Sequence, residues 1–533
     1  MIQNPVLKGF NPDPSFCRVG MDYYLATSTF EWYPGVQIFY SRDLVNWELV
    51  ARPLNRAALL DLRGNPDSCG IWAPCLSHAD GKFWLVYTNV RRFDGAFKDA
   101  PNYITTCETV DGVWTDPWYV NSSGFDPSLF HDADGRKWFL QMRWNHRGPG
   151  SGCNPADDAF DGILLQEWSP AAGLTGPVVN IYAGTDRGLT EAPHLFTRNG
   201  YYYLTTAEGG TGYDHAVTLA RSRLIAGPYE THPDKFVISA AGTAGPIQRT
   251  GHGQYVETHW GGCYHSFLMG RPVAGPDGTG RFCPLGRESG LERVVWRDDW
   301  LYLEQGGLVV RRHVPTPVAV DPVLAGPVDR VFGGALPAEF QWLRTPFPDR
   351  IFRNDPDALV LIGRESVGSW FEQALVARRQ EHHTYSAETV LEFAPETYQQ
   401  GAGLTTYYNR TKFHALVLSH EAGIGRALGL MSCPGNWPGG ELVYPGQQIA
   451  VMDGPVQLRV TVDQARQQFY WRQSGDWQPI GPLLDATLVS DEGGVGEHGS
   501  FTGAFVGMVA FDITGQGHEA RFRRFGYLPA EVG

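Results

Sequence analysis

The sequence predicts an all-β chain, a five-bladed β-propeller followed by a β-sandwich, and three observations carry that prediction. Five stretches share a glycine turn that runs into an aromatic or apolar strand: Gly20-Met-Asp-Tyr-Tyr-Leu, Gly81-Lys-Phe-Trp-Leu-Val, Gly135-Arg-Lys-Trp-Phe-Leu, Gly200-Tyr-Tyr-Tyr-Leu-Thr and Gly262-Cys-Tyr-His-Ser-Phe. Their glycines lie 61, 54, 65 and 62 residues apart, a period that suits a four-stranded blade with long loops. Aromatics make up 13% of the chain beside 64 Gly and 37 Pro, a composition that favours short strands joined by turns over helical bundles. Finally, the pattern breaks after Trp300-Leu-Tyr-Leu, where the run from Val314 to Pro327 holds four prolines and favours extended backbone.

Taken in order, the five phrases place the propeller in residues 1–315. Each alone could be an ordinary hairpin; their register makes the blade reading the better one. The fifth departs most, with His265 where the others carry an aromatic. Residues 320–533 read as the sandwich. Tyr385, Ala387, Thr389, Leu391 and Phe393 share one face of a strand, and Val456, Leu458, Val460 and Val462 share another. The stretch from 370 to 380 leaves room for a short helix.

A chain of 533 residues exceeds what one hydrophobic core holds and divides into two or three domains. Its formal charge of −14, with no basic run, argues against nucleic acid or an anionic membrane as partner and suits a neutral substrate. No window approaches the roughly 20 apolar residues that span a bilayer. The first residues lack the charged and apolar segments of a secretory signal, so a cytoplasmic protein is expected. Eight scattered cysteines without a C-x-x-C pair read as reduced thiols, neither a zinc site nor a disulfide framework.

The chain has no G-x-S-x-G elbow, H-E-x-x-H motif or phosphate-binding loop. Its candidate chemistry is acidic. Asp13 lies in Gly9-Phe-Asn-Pro-Asp-Pro-Ser, Asp126 in Gly124-Phe-Asp-Pro-Ser and Glu191 in Leu189-Thr-Glu-Ala-Pro-His. Singly, such carboxylates are turn residues that accept from backbone amides. Together, from blades whose first strands line the propeller axis, they would converge on one pocket. Converging carboxylates without a metal cluster suit glycosidic bond cleavage, in which one acid protonates the leaving oxygen and another activates water or attacks the sugar. A third acid can orient the proton donor and raise its pKa by repulsion.

These motifs, with Ile71-Trp-Ala-Pro and Pro284-Leu-Gly-Arg-Glu, resemble the two-domain β-xylosidase branch of glycoside hydrolase family 43. Phe501-Thr-Gly-Ala-Phe-Val-Gly and Ala520-Arg-Phe-Arg-Arg-Phe-Gly-Tyr resemble that branch's C-terminal concanavalin-like jelly roll. The resemblance implies Asp13 as general base, Glu191 as general acid and Asp126 as the residue that tunes and orients the acid. It implies inversion by single displacement, with the two carboxyls roughly 6.5–9.5 Å apart. Ala192 departs from the family pattern, which more often has glycine after the acid.

The resemblance also implies that Arg287 donates to a sugar hydroxyl, that Phe30, Trp72 and Trp144 wall the pocket, and that Phe501 closes it from the second domain. A structural ion pair of Arg287 with Glu288, core packing of the aromatics and a buried strand position for Phe501 are the alternatives. His252, in Thr250-Gly-His-Gly-Gln, matches a histidine that in relatives contacts a calcium ion or its waters near the propeller axis; an ordinary structural histidine is the other reading. No cofactor is required by this scheme. The expected activity is exo-cleavage of β-1,4-xylo-oligosaccharides with α-L-arabinofuranosidase side activity, by a homodimer or homotetramer. Arabinofuranosidase as the main activity and a non-hydrolytic glycan-binding protein are the rivals.

Overall fold

The computed structural model describes residues 1–147, 159–316, 318–323, 326–494 and 500–530. Five antiparallel sheets make the blades of the propeller. Each shared glycine turn introduces the second strand of its blade: Asp22–Thr27, Lys82–Val90, Lys137–Trp144, Tyr201–Glu208 and Cys263–Gly270. Gly20, Gly81, Gly135 and Gly200 sit at positive φ, where a side chain would strain the turn that reverses the first strand into the second. The fifth copy keeps the strand but shifts the turn: positive φ falls on Gly261, one residue before the shared Gly262, His265 is fully buried within its strand, and Tyr255–Glu257 adds a short extra pairing to that blade.

The ring is closed by the first residues of the chain. Ile2–Gln3 pairs with His313–Val314, and the Asn4 side chain donates to the carbonyls of Leu291 and Arg311 while accepting from the Leu291 N–H. The N-terminal segment thereby fastens the first blade to the last.

Two eight-stranded sheets face each other in the second half and enclose its main core, which includes Leu359, Leu404, Leu458, Met508 and Phe522. Alternate residues of Thr384–Glu392 and Val456–Asp463 point into it, as the sequence periodicity predicts. The stretch read as leaving room for a helix is instead the strand Ala374–Arg379, and no α-helix occurs among the described residues. That strand is buried on both faces, between Phe340–Leu343 and Phe505–Asp512, so its sequence lacks the alternation that marks a half-exposed strand.

The halves share structure where they meet. Trp32–Tyr33, from the propeller, pairs with Phe340–Leu343 and forms the edge strand of one sandwich sheet. Trp32 stacks on Phe505, with centroids 3.6 Å apart and planes at 12°. Phe10 and Phe30 join the same apolar cluster. This junction carries the sandwich loop around Phe501 to the propeller mouth.

Candidate active site

The three acidic motifs reach the site through a shared local geometry. Asp13 and Asp126 each precede a first blade strand and adopt left-handed backbone, with φ 58° and 53°. The glycine of each phrase admits a different neighbour: a Cβ on Gly124 would lie 1.7 Å from the Met142 carbonyl, and one on Gly9 would lie 2.5 Å from the Gln380 carbonyl of the sandwich. The serine of each phrase ties blades together. Ser128 Oγ donates to the Pro193 carbonyl at 2.5 Å, and Ser15 Oγ accepts from the Leu76 N–H at 2.9 Å. Glu191 opens the first strand of blade four. Behind it, Glu208 accepts from the Thr185 N–H and from the hydroxyls of Thr185 and Thr190, fixing the loop that leads to the acid. Ala192, where the family pattern prefers glycine, has φ 53° and is buried, so the methyl is accommodated in left-handed backbone.

All nine side chains singled out in the sequence line one cavity of about 350 Å³: Asp13, Asp126, Glu191, Arg287, His252, Phe30, Trp72, Trp144 and Phe501. The volume is at the small end of ordinary ligand pockets. A larger cavity of about 850 Å³ at the domain junction, lined among others by Arg42, Trp47, Glu339 and Arg379, contains none of the three acids. The smaller cavity is therefore the candidate site.

Arg287 is paired with Asp13 across 2.9 Å, not with Glu288, which accepts from Arg271 at 2.5 Å. Its other terminal nitrogen donates to the Phe501 carbonyl at 2.9 Å, and the guanidinium stands 5.4 Å from the centre of the Phe30 ring. Ser28 Oγ donates to the second Asp13 oxygen at 2.6 Å. Burial alone would raise the Asp13 carboxyl, but Arg287, then His252 and the Ser28 hydrogen bond, hold it below the ordinary carboxylate range. Asp126 behaves oppositely. Burial and the charge of Asp13 raise it, only partly opposed by Arg287 and by the Ala192 N–H.

His252 Nδ1 is 3.5 Å from Asp13 Oδ1, and burial pushes the ring down to about 4, so it is neutral near pH 7. His194 and His215, also buried, are pushed down to about 3. Among the described residues no group of three or more His, Cys, Asp or Glu is placed to hold a metal. Calcium takes six to eight oxygen ligands. The donor that faces His252 is one carboxylate already held by Arg287 and Ser28, which does not fit direct calcium ligation.

Phe501 meets Trp72 edge to face with centroids 5.8 Å apart and Phe93 at 5.5 Å, while Trp72 also contacts Phe30 and Phe125. Trp144 donates its indole N–H to the Ala96 carbonyl. Sequence reasoning missed Phe93, Lys98, Phe125, Thr211 and His215. Phe125 adjoins Asp126 and was legible in the phrase already quoted. Lys98 was not, because it comes from a long loop with no motif; its ammonium sits 4.0 Å from the Trp144 ring centre, and burial lowers it to about 8.

Comparison with known proteins matches residues 2–301 to "Glycosyl hydrolases family 43" and residues 332–528 to "Beta xylosidase C-terminal Concanavalin A-like domain". The chain is 55% identical over 540 residues to Xylosidase/arabinosidase 43B of Humicola insolens, covering 99% of this chain and 98% of the relative. It is 45% identical to Beta-xylosidase of Bacillus subtilis (strain 168), with 99% of both chains covered. A crystal structure of xylan beta-1,4-xylosidase from Bacillus halodurans C-125 superposes with a TM-score of 0.93 at 44% identity, covering 99% of this chain and all of that one.

Proposed function

The chain belongs to glycoside hydrolase family 43, and on that premise we propose that it is an exo-acting, inverting β-xylosidase that releases xylose from the non-reducing end of β-1,4-xylo-oligosaccharides. The observation that carries this reading is the convergence of Asp13, Asp126 and Glu191, from three blades, on one small cavity that Phe501 of the sandwich also lines. Such a pocket suits a chain end rather than a polymer threaded through it.

In this reading Asp13 takes a proton from the attacking water. Arg287 and Ser28 keep it ionised, as a base must be before it acts. Glu191, at the start of the first strand of blade four, gives a proton to the departing glycosidic oxygen. Asp126, joined to the acid's own strand through the Ala192 N–H, orients that strand and tunes the acid's pKa. Arg287 contributes a fixed positive charge beside sugar hydroxyls, and Phe30, Trp72 and Trp144 offer ring faces to the sugar's C–H surfaces. No step passes through a metal, so activity should persist in excess chelator.

The name of the Humicola relative favours α-L-arabinofuranoside cleavage as a second activity of the same pocket. A homodimer or homotetramer is part of the proposal and is read from sedimentation equilibrium.

Proton NMR of xylotriose during the first turnovers tests the whole reading. Early α-xylose and xylobiose are expected. Early β-xylose would overturn single displacement, and inert xylotriose beside a cleaved aryl arabinofuranoside would put the second activity first.

A further inference from the structure

Asn65-Pro-Asp-Ser68 forms a propeller loop before the first strand of blade two and is wrapped around a side chain of the sandwich. Arg344, almost fully buried, donates to Asp67 Oδ1 at 2.7 Å and to the Asn65 carbonyl at 2.8 Å. At the end of this loop stands Ser68, wholly buried and in left-handed backbone with φ 59°. A serine held there is constrained by its surroundings, since glycine is the residue that adopts this conformation without cost.

Every polar group of Ser68 is committed to something near the pocket. Its N–H donates to Glu31 Oε2 at 3.2 Å, beside the wall residue Phe30. Its carbonyl accepts the indole N–H of Trp72 at 2.9 Å. Its Oγ accepts the Phe501 N–H at 3.1 Å, across the domain boundary. The carbonyl of the same Phe501 accepts from Arg287, and Arg287 grips Asp13. From these contacts we propose that Ser68 is a positioning residue for the reaction: by holding the Phe501 peptide, it fixes Arg287 on Asp13 and so couples the docking of the sandwich to the ionisation of the base. The inference rests on the reading of Asp13 as the base.

Loss of the hydroxyl should let the Phe501 peptide move, and Arg287 with it. Misplacement on the scale of an ångström costs up to about a hundredfold in rate. We therefore expect Ser68→Ala and Ser68→Gly each to lower kcat/KM about tenfold or more, with kcat falling as well as KM rising. The acid limb of the kcat/KM profile should move to higher pH in both, because Asp13, also faced by His252, His215 and Asp126, would be less firmly held by its arginine. Glycine relieves the left-handed backbone, so Ser68→Gly should melt no lower than the parent protein.

A Ser68→Gly variant with parental kcat/KM and an unmoved acid limb would overturn the assignment. So would a Ser68→Gly variant that fails to fold, since that would make Ser68 a residue of folding. Asp13→Asn separates the two levels of argument: hydrolysis retained in that variant defeats the reading of the base itself, whatever Ser68 does.

Discussion

Asp13 and Asp126 stand in the same local phrase and the same left-handed backbone, yet their carboxyls are driven in opposite directions. The difference comes from partners distant in sequence. Arg287, 274 residues away, and Ser28, 15 away, bind Asp13, whereas Asp126 faces burial and the charge of Asp13 itself. The three acids were therefore legible from local motifs and the aromatic walls from the family resemblance, while the division of charge among the acids was not. The signs follow by linkage. Asp13 is depressed, so its contribution to stability is present above its unfolded pKa and lost as pH falls through its folded one. Asp126 is raised, so its contribution is present below its unfolded pKa and lost as pH rises through its folded one. Ser28→Ala tests the Asp13 side directly. A hydrogen bond to a charged group is worth about 1.5–3 kcal/mol, and about 1.4 kcal/mol corresponds to one pKa unit. The acid limb of kcat/KM should then move to higher pH, since the carboxylate loses a donor that favours its charged form; an unchanged limb would remove Asp13 as the group that sets it.

At the scale of elements, the glycine turns announced the second strand of each blade because turn and strand lie side by side in the sequence. The strand Ala374–Arg379 was missed because both its faces are covered and no alternation survives. The contact between Pro284-Leu-Gly-Arg and Phe501-Thr-Gly-Ala was also hidden, since each segment is only a turn until the other arrives. Gly286 shows how close they lie: it has φ +68°, and a Cβ there would stand 2.3 Å from the Thr502 carbonyl. Gly20 has a similar φ of +63° with nothing within 4 Å of its Cβ position. Alanine at Gly20 should cost only the left-handed strain, about 1–2 kcal/mol, with activity kept. Gly286→Ala carries the same strain plus a collision with backbone that cannot yield, so it should lose more stability and also activity, as the adjoining Arg287 is displaced. Paired melting curves and kcat/KM values check this, and equal behaviour of the two variants would count against the contact.

For the whole molecule, the proline-rich run marks the place where the chain leaves the propeller, but it gives no sign that the two halves finish one site. The reason is physical: their junction is built from Trp32 stacked on Phe505, from one propeller strand inserted in a sandwich sheet and from the Phe501 carbonyl on Arg287, none of which has a local sequence signature. A protein ending near residue 316 would keep all three acids. It would also expose Phe10, Phe30 and Trp32, now buried, and free Arg287 from one of its two polar partners. Exposed apolar surface of that kind promotes association, so the truncated propeller should be poorly soluble, and any soluble fraction should hydrolyse aryl xylosides at under about one hundredth of the full-length rate, the loss expected when a catalytic group is no longer held in place. Adding residues 320–533 as a separate chain should restore part of that rate if docking alone completes the pocket. A monodisperse truncated propeller with full activity would instead mean that five blades suffice for catalysis, and that the Phe501 contact serves only to attach the second domain.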